Sequence, residues 1–307
     1  MFIANPDVDP YIGTKRANIM KKFLLSIFLV LLIAHGARSQ TDSSGGFIIN
    51  PPGLNIAPLK ANIEEPRIGV FKFLDAAEMK VDIGNSIDVF GYSDPETEVR
   101  ITAGIDFMAY AFTTGAQGLR LQIDALDGFF GGNLSFSKAV GSQILQLRLR
   151  LLHHSAHFVD GHYDETTGTW IDNREPVPYT KDFGELVGAY LVEKENLTLR
   201  PYAGFGYATL IRPAEYDRFS YLAGIEIALG VATIASQKLN IYAAYNISVE
   251  GTPELIGSHQ IQVGTKLGGV YGKGPSIYLA YYTGNHMFGE YFGERLTTTG
   301  LGFTVDF

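Results

Sequence analysis

From residue 79 onward, apolar and polar side chains alternate in runs of roughly 8 to 17 residues, punctuated by Gly, Pro, Asp or Asn. In KLNIYAAYNIS, Leu239, Ile241, Ala243, Tyr245 and Ile247 share one side, and Asn240, Tyr242, Asn246 and Ser248 the other. In QIQVGTKL, Ile261, Val263 and Leu267 oppose Gln260, Gln262 and Lys266. In RLQIDAL, Leu121, Ile123 and Ala125 oppose Arg120, Gln122 and Asp124. A period of two belongs to strands, whose successive side chains point to opposite faces. The pattern predicts strands over 79–91, 97–112, 118–126, 131–138, 142–158, 183–193, 197–211, 217–229, 238–249, 257–268, 275–284 and 297–307. They make an all-β chain of about 12 antiparallel strands, an even number of the kind that closes a bacterial membrane barrel.

Which face meets which solvent follows from the rest of the chain. The polar faces carry Arg, Gln, Asp, Asn and Gly rather than a dense charged coat. Charged residues make up only 18% of the chain and aromatics 12%. A soluble sandwich turns its apolar faces inward and its charges outward; here apolar-out and polar-in fits better. The N-terminal stretch MKKFLLSIFLVLLIAHGARSQ supports the same destination. Lys21 and Lys22, the apolar run Phe23 to Ala34, and the small-x-small site Ala37-Arg38-Ser39 before Gln40 form a secretory signal over 20–39. Residues 1–19 are then a mis-called upstream extension, and 40–78, with Pro51, Pro52, Pro58 and Pro66, a periplasmic or lumen-tucked lead segment before a barrel at 79–307. The last strand, TTGLGFTVDF, ends on Phe307, a terminal aromatic similar to the signal read by the barrel-assembly machinery of the outer membrane. With both termini in the periplasm of a Gram-negative cell, 159–182 and 285–296 become outer loops, and EKEN (193–196) and KAVG (138–141) periplasmic turns.

Charge and composition remove other classes. A net charge of −8 without a basic cluster excludes nucleic acid as the expected partner. The absence of cysteine removes disulfides and thiolate metal sites. Asp106, Arg120, Asp124, Arg148, Arg150, Arg200, Glu226 and Lys266 fall on inward positions, where mixed signs suit a salt-bridged interior or a narrow conduit for a small solute. Twelve strands enclose far less than a general porin. Nothing in the chain calls for a cofactor, and the expected partners are outer-membrane lipids.

Three stretches resemble, together, the bacterial outer-membrane family known as the domain of unknown function numbered 1207. They are ANIEEPRIGVF, LRLRLLHHSAHFVDG and YYTGNHMFGEYFGERLTTTGLGF. Pro66-Arg67, then His153, Ser155 and His157, then Gly289, Phe292 and Arg295 take the family's motif positions; FVDGHYDE is longer than the family's compact acidic turn. The resemblance covers roughly 62–307 and implies an outer-membrane barrel without an established activity.

LRLRLLHHSAHF holds the candidate chemistry. Leu147, Leu149 and Leu151 define the apolar face, and the same parity carries His153, Ser155 and His157 onto it. His153 and Ser155, two residues apart, lie on one face within mutual reach, as a general base and a nucleophile for an acyl ester require. The pair is similar to the lipid-facing His-x-Ser of outer-membrane phospholipase A and of the lipid A deacylase, although Ala156 stands where those enzymes have Asn. Asp160, Asp182 and Glu185 are the alternatives for an orienting acid. The bland alternative is that His, Ser and aromatics simply sit among lipid headgroups at a strand end. A metal site is disfavoured: His153 and His157 stand roughly 13 Å apart on a straight strand, so His162, Asp160 or Asp164 would have to fold back. His154 points inward, toward luminal hydrogen bonding. From sequence alone, a structural or small-solute transport role leads, with an outer-leaflet acyl-ester hydrolase as the alternative.

Overall fold

A computed structural model of the chain describes residues 45–116, 120–251 and 255–307. The proposed extension and signal segment lie outside these residues. In chain order the strands are β1 (Gly46–Ile49), β2 (Ile68–Phe73), β3 (Glu78–Asp94), β4 (Val99–Ala116), β5 (Arg120–Val140) and β6 (Gln143–Phe158). Two short strands in a loop, β7 (Tyr163–Asp164) and β8 (Thr169–Trp170), pair with each other. Then come β9 (Tyr179–Lys194), β10 (Leu197–Arg212), β11 (Phe219–Ile234), β12 (Gln237–Glu250), β13 (Ile256–Leu267), β14 (Gly274–Asn285) and β15 (Arg295–Asp306). Twelve of them, β2 to β6 and β9 to β15, form a closed antiparallel ring in which β2 pairs with both β15 and β3. Closure leaves no edge, so the strand ladder satisfies the backbone without water, as a segment in hydrocarbon requires. Among the described residues no helix is long and apolar enough to cross a membrane.

The outer face is apolar. Leu147, Leu149 and Leu151 on β6, Ile225, Ile227 and Leu229 on β11, and Leu301 and Phe303 on β15 are all exposed. Exposed aromatics stand toward both rims: Phe130, Tyr207 and Phe219 toward one, Phe90, Tyr92 and Tyr190 toward the other. This is the girdle arrangement of membrane barrels. Inward side chains are polar and buried, among them Asp106, Asp124, Arg148, Arg150, Arg200, Glu226 and Lys266. The side chain of Arg120 lies outside those described.

The count of twelve holds, but two of its members differ from expectation. Segments 118–126 and 131–138 are one strand, β5, because DGFFGGN continues the ladder instead of turning: Asp127 to Asn133 pair with Ala156 to Arg150. The barrel also begins earlier than residue 79, since Ile68–Phe73 supplies the strand that closes it. The alternation in RLQIDAL breaks at a bulge beside Asp124. Thr113 pairs with Ile123 but Phe112 pairs with Ala125, so Ala125 turns inward and is fully buried.

Between β1 and β2 the chain passes through the lumen. Both strands lie on one edge of β3: β1 pairs with Phe90–Ser93, and β2 with Met79–Ile83. The intervening residues 50–67 reach inward-facing groups on opposite walls. The Asn55 N–H donates to Asp88 at 2.7 Å, and Ser137 donates to Asn55 at 2.6 Å. Arg200 donates to the carbonyls of Ala57 and Pro58, both at 2.9 Å, and also grips Glu226, which accepts the Lys60 N–H at 2.6 Å. Glu65 is buried against Arg148 (3.0 Å) and Arg150 (3.8 Å). Arg150 also holds Glu185 at 2.7 Å and the Glu64 carbonyl at 3.1 Å. Arg67 folds back on its own loop, donating to the carbonyls of Lys60, Asn62 and Glu65. Two cavities beside the segment measure about 140 and about 40 Å³. Inward rings complete the filling: that of Tyr278 covers Gly302 so closely that a Cβ there would meet it at 2.1 Å.

Glu65→Ala should leave Arg148 and Arg150 facing each other without their shared carboxylate. Removing one partner of a buried charge cluster costs about 3–5 kcal/mol. The variant should therefore lose its heat-modifiable electrophoretic form at a lower temperature and show conductance in planar bilayers, where the parent should be silent. An unchanged transition together with unchanged silence would mean that this contact does not hold the segment.

Candidate functional site

The rim that carries the longer loops gathers the histidines. Here β6 runs between β5 and β9, so each outward residue has one neighbour on either side: His153 lies between Phe130 and Asp182, and Ser155 between Gly128 and Thr180. The parity read from the leucines holds to the end of the strand, with Leu152, His154, Ala156 and Phe158 buried inward.

Outward, His153 Nδ1 lies 2.6 Å from Asp182 Oδ1, and its ring centroid is 4.9 Å from that of Phe130. The two polar side chains are 33% and 45% exposed, so both are open to the surrounding phase. A carboxylate on Nδ1 favours the tautomer with its proton there, which leaves Nε2 as the acceptor. Ser155 follows at the next outward position, roughly 7 Å along the strand. Its hydroxyl makes no hydrogen bond among the described residues, and Gly128 beside it leaves its outer side uncovered. Small neighbours suit a nucleophile that must be reached by a bulky acyl chain.

The three alternatives for the orienting acid thus separate. Asp182 is directly opposite His153 and bonded to it. Glu185 faces the lumen and is taken by Arg150 at 2.7 Å. Asp160 lies past the end of β6 in the one-turn 3-10 helix Asp160–His162, and its side chain is outside those described.

The other histidines are structural. His154 faces inward and stacks on Phe129 with 3.8 Å between centroids. Its Nε2 meets Asp127 Oδ2 at 2.8 Å, and the same oxygen accepts the Gly289 N–H at 2.9 Å. Asp127 thereby ties the wall to the loop between β14 and β15. Gly289 is required there, because a Cβ would lie 2.6 Å from the Tyr179 ring and 2.8 Å from the Ala156 methyl. His162 does not fold back toward His153; it stacks on Phe158 at 3.9 Å, and burial lowers its pKa. The loop is closed further by Arg174 with Glu294 and by Glu290, which accepts the Val177 N–H at 3.0 Å. Phe112, Phe288 and Tyr291 pack around His286 beneath it. Asp127 and Glu290 were not singled out by the sequence pattern; Asp127 was hidden in a glycine-rich stretch that read as a turn.

No family model matches the chain, and no curated protein matches it. Solved structures found similar to the chain include the β domain of the Bordetella autotransporter BrkA, at 15% identity over 78% of this chain and 96% of that one, with a TM-score of 0.38. The Pseudomonas putida toluene transporter TodX is 10% identical over 74% of this chain and 69% of that one, with a TM-score of 0.41. LpxR from Salmonella typhimurium is 10% identical over 75% of this chain and 88% of that one, with a TM-score of 0.36. Likenesses this distant assign no activity.

The loop over the lumen should respond to acid. Burial and Arg174 lower the His286 pKa from 6.5 to about 4. A depressed imidazole stabilises the folded loop fully above about pH 6.5, and that contribution is lost as pH falls toward 4. Burial raises the Glu290 pKa, which works in the opposite sense as pH falls. The protection factors of amides over 286–294, corrected for the intrinsic pH dependence of exchange, should therefore fall more between pH 7 and 4 in the parent than in His286→Phe. An acid response identical in the parent and His286→Phe would rule out His286 as its source.

Proposed function

We propose that the protein is an outer-membrane acyl-ester hydrolase acting on lipids of the outer leaflet, with the longer loops facing the cell exterior. The observation that carries this is the outward pair of His153 and Asp182 at 2.6 Å, with Ser155 two residues along the same face. Base, orienting acid and nucleophile then share one lipid-exposed surface, at the level of the aromatic Phe130. A conduit role has less support, because the lumen is occupied by residues 50–67 and by ion pairs across it. A purely structural role explains the barrel, but not why an imidazole and a carboxylate stand bonded together on its apolar side, where polar groups are costly.

In the proposed reaction, the Asp182 carboxylate holds the His153 imidazole with Nε2 free. As Ser155 Oγ bonds to the ester carbonyl carbon, Nε2 takes the hydroxyl proton. Collapse of the tetrahedral adduct breaks the bond to the lipid's alcohol oxygen, which leaves with the proton from Nε2. Water, deprotonated by the same nitrogen, then releases the fatty acid and restores the serine. The free serine hydroxyl need not touch Nε2 before substrate binds, because such bonds often tighten only in the complex. Thr180 and His157 are the polar neighbours on this face that would meet the developing oxyanion.

Refolded protein should cleave detergent-dispersed diacyl lipid. Ser155→Ala and His153→Gln should reduce this to background, and Asp182→Asn should lower it on the order of 10³–10⁴-fold, the effect of losing the correct tautomer. All three should keep the barrel's heat-modifiability. Activity that survives Ser155→Ala would refute the mechanism; inactivity of correctly folded parent protein on every diacyl lipid offered would refute the function.

A further inference from the structure

Beside the candidate nucleophile, β10 contains a bulge. The register between β9 and β10 shifts between Ala208 and Leu210, which makes Thr209 the extra residue. Up to Tyr207 the odd positions of β10 face outward, as the exposed Phe205 and Tyr207 show. Beyond the bulge Leu210 and Arg212 face outward and Ile211 is buried. Were Thr209 to take a regular place in the ladder, Arg212 would fall opposite the inward Tyr179 and point into the lumen. The bulge is held by side chains: Thr209 Oγ1 donates to the Asp182 carbonyl at 3.2 Å, and Arg218 Nη1 donates to the carbonyls of Ala208 and Thr209 at 2.9 and 2.8 Å. Bulges near functional sites commonly re-aim a side chain in this way.

The re-aimed side chain lies level with the serine. Arg212 pairs across the sheet with Thr180, and Thr180 pairs with Ser155. Arg212 is therefore two strands away on the same outward face, roughly 10 Å between backbones. It is the exposed last residue of β10, at the loop boundary. Arg218, bonded to the bulge carbonyls, adds a second positive charge toward the same end of β10. Two carboxylates nearby have other engagements: Asp182 holds His153, and Asp217 accepts the Phe219 N–H at 2.8 Å. An exposed guanidinium at a membrane rim binds phosphate well, because its planar donors match the phosphate oxygens.

We propose that Arg212 is a specificity-determining residue that anchors the phosphate of the lipid whose acyl ester is presented to Ser155. This rests on the hydrolase reading above and narrows its substrate to phosphorylated lipids. Glycerophospholipid and phosphorylated lipid A both offer that group. In either lipid the ester and the phosphate are separated by a few bonds, and Arg212 stands at the cross-strand level of Ser155, roughly 10 Å from it, within the reach of a long guanidinium side chain.

Two experiments separate this inference from the reading it rests on. In the first, Arg212→Gln and Arg212→Lys are assayed on phosphatidylglycerol, on lipid A with and without its phosphates, and on diacylglycerol. Arg212→Gln should raise KM roughly tenfold for one or both phosphorylated lipids with little change in kcat. It should leave diacylglycerol unaffected, and Arg212→Lys should recover part of the loss. In the second, Ser155→Ala protein in micelles is titrated with diether phosphatidylglycerol and with phosphorylated lipid A, neither of which it can turn over. Binding of whichever lipid it accepts should weaken roughly tenfold when Arg212→Gln is added. Arg212-dependent binding without hydrolysis by the parent would sink the hydrolase and keep the anchor. Hydrolysis and binding indifferent to both Arg212 and phosphate would keep the hydrolase and overturn the anchor.

Discussion

A backbone N–H or carbonyl in hydrocarbon has no water to bond, and this constraint shapes everything else in the molecule. It forces the strands to close, and closure separates two surfaces that face different media. Each residue's parity then decides its solvent. Leu149 and Arg150 are covalent neighbours, yet one is exposed on the outer surface and the other buried without access to it. Closure here needs Ile68–Phe73, a short strand that joins β15 to β3. The segment leading into it is consequently committed to the inside of the ring, where charged and polar side chains are waiting.

Those side chains make the interior a network rather than a pore. A guanidinium in the lumen must find acceptors: Arg150 combines the Glu65 and Glu185 carboxylates with the Glu64 carbonyl, and Arg200 combines Glu226 with the carbonyls of Ala57 and Pro58. Leu59 packs against Val187, Ala189, Tyr202 and Leu222 on the wall, and charge-assisted hydrogen bonds complete the hold on the luminal segment. The same logic applies at the loop-bearing rim, where Asp127 joins His154 on the wall to the Gly289 amide above it.

Alternation made the barrel legible, because two-residue parity is local. It placed His153 and Ser155 outward and His154, Arg148 and Arg150 inward without reference to any other strand. What parity cannot carry is an insertion of one residue. The bulges at Asp124 and Thr209 each reverse the faces beyond them, and neither has a sequence mark stronger than a polar residue in an apolar run. The strand count survived for a related reason: DGFFGGN looks like a turn, but its glycines lie flat in the ladder, and the strand it seemed to add offset the one missed at 68–73. The acid beside His153 was illegible because cross-strand register depends on the geometry of the long connection between β6 and β9. Asp160, Asp182 and Glu185 were equivalent until that register set Asp182 opposite His153.

The position of the polar cluster also follows from the two-media constraint. An ion-pairable imidazole and carboxylate at mid-membrane would face hydrocarbon alone, whereas the same pair near a rim is accessible to headgroups and water. An ester-cleaving site has the mirror-image need: its substrate is anchored in hydrocarbon, while the second half of its reaction consumes water. The end of β6 meets both conditions. Leu147 to Leu151 present an apolar track leading to Ser155, and Arg212 marks the polar end of the same surface. A soluble fold would have to bring the acyl chain into a cavity to achieve this contact. Here the membrane would supply the apolar side of the proposed site, so three outward side chains on two strands would suffice without a pocket.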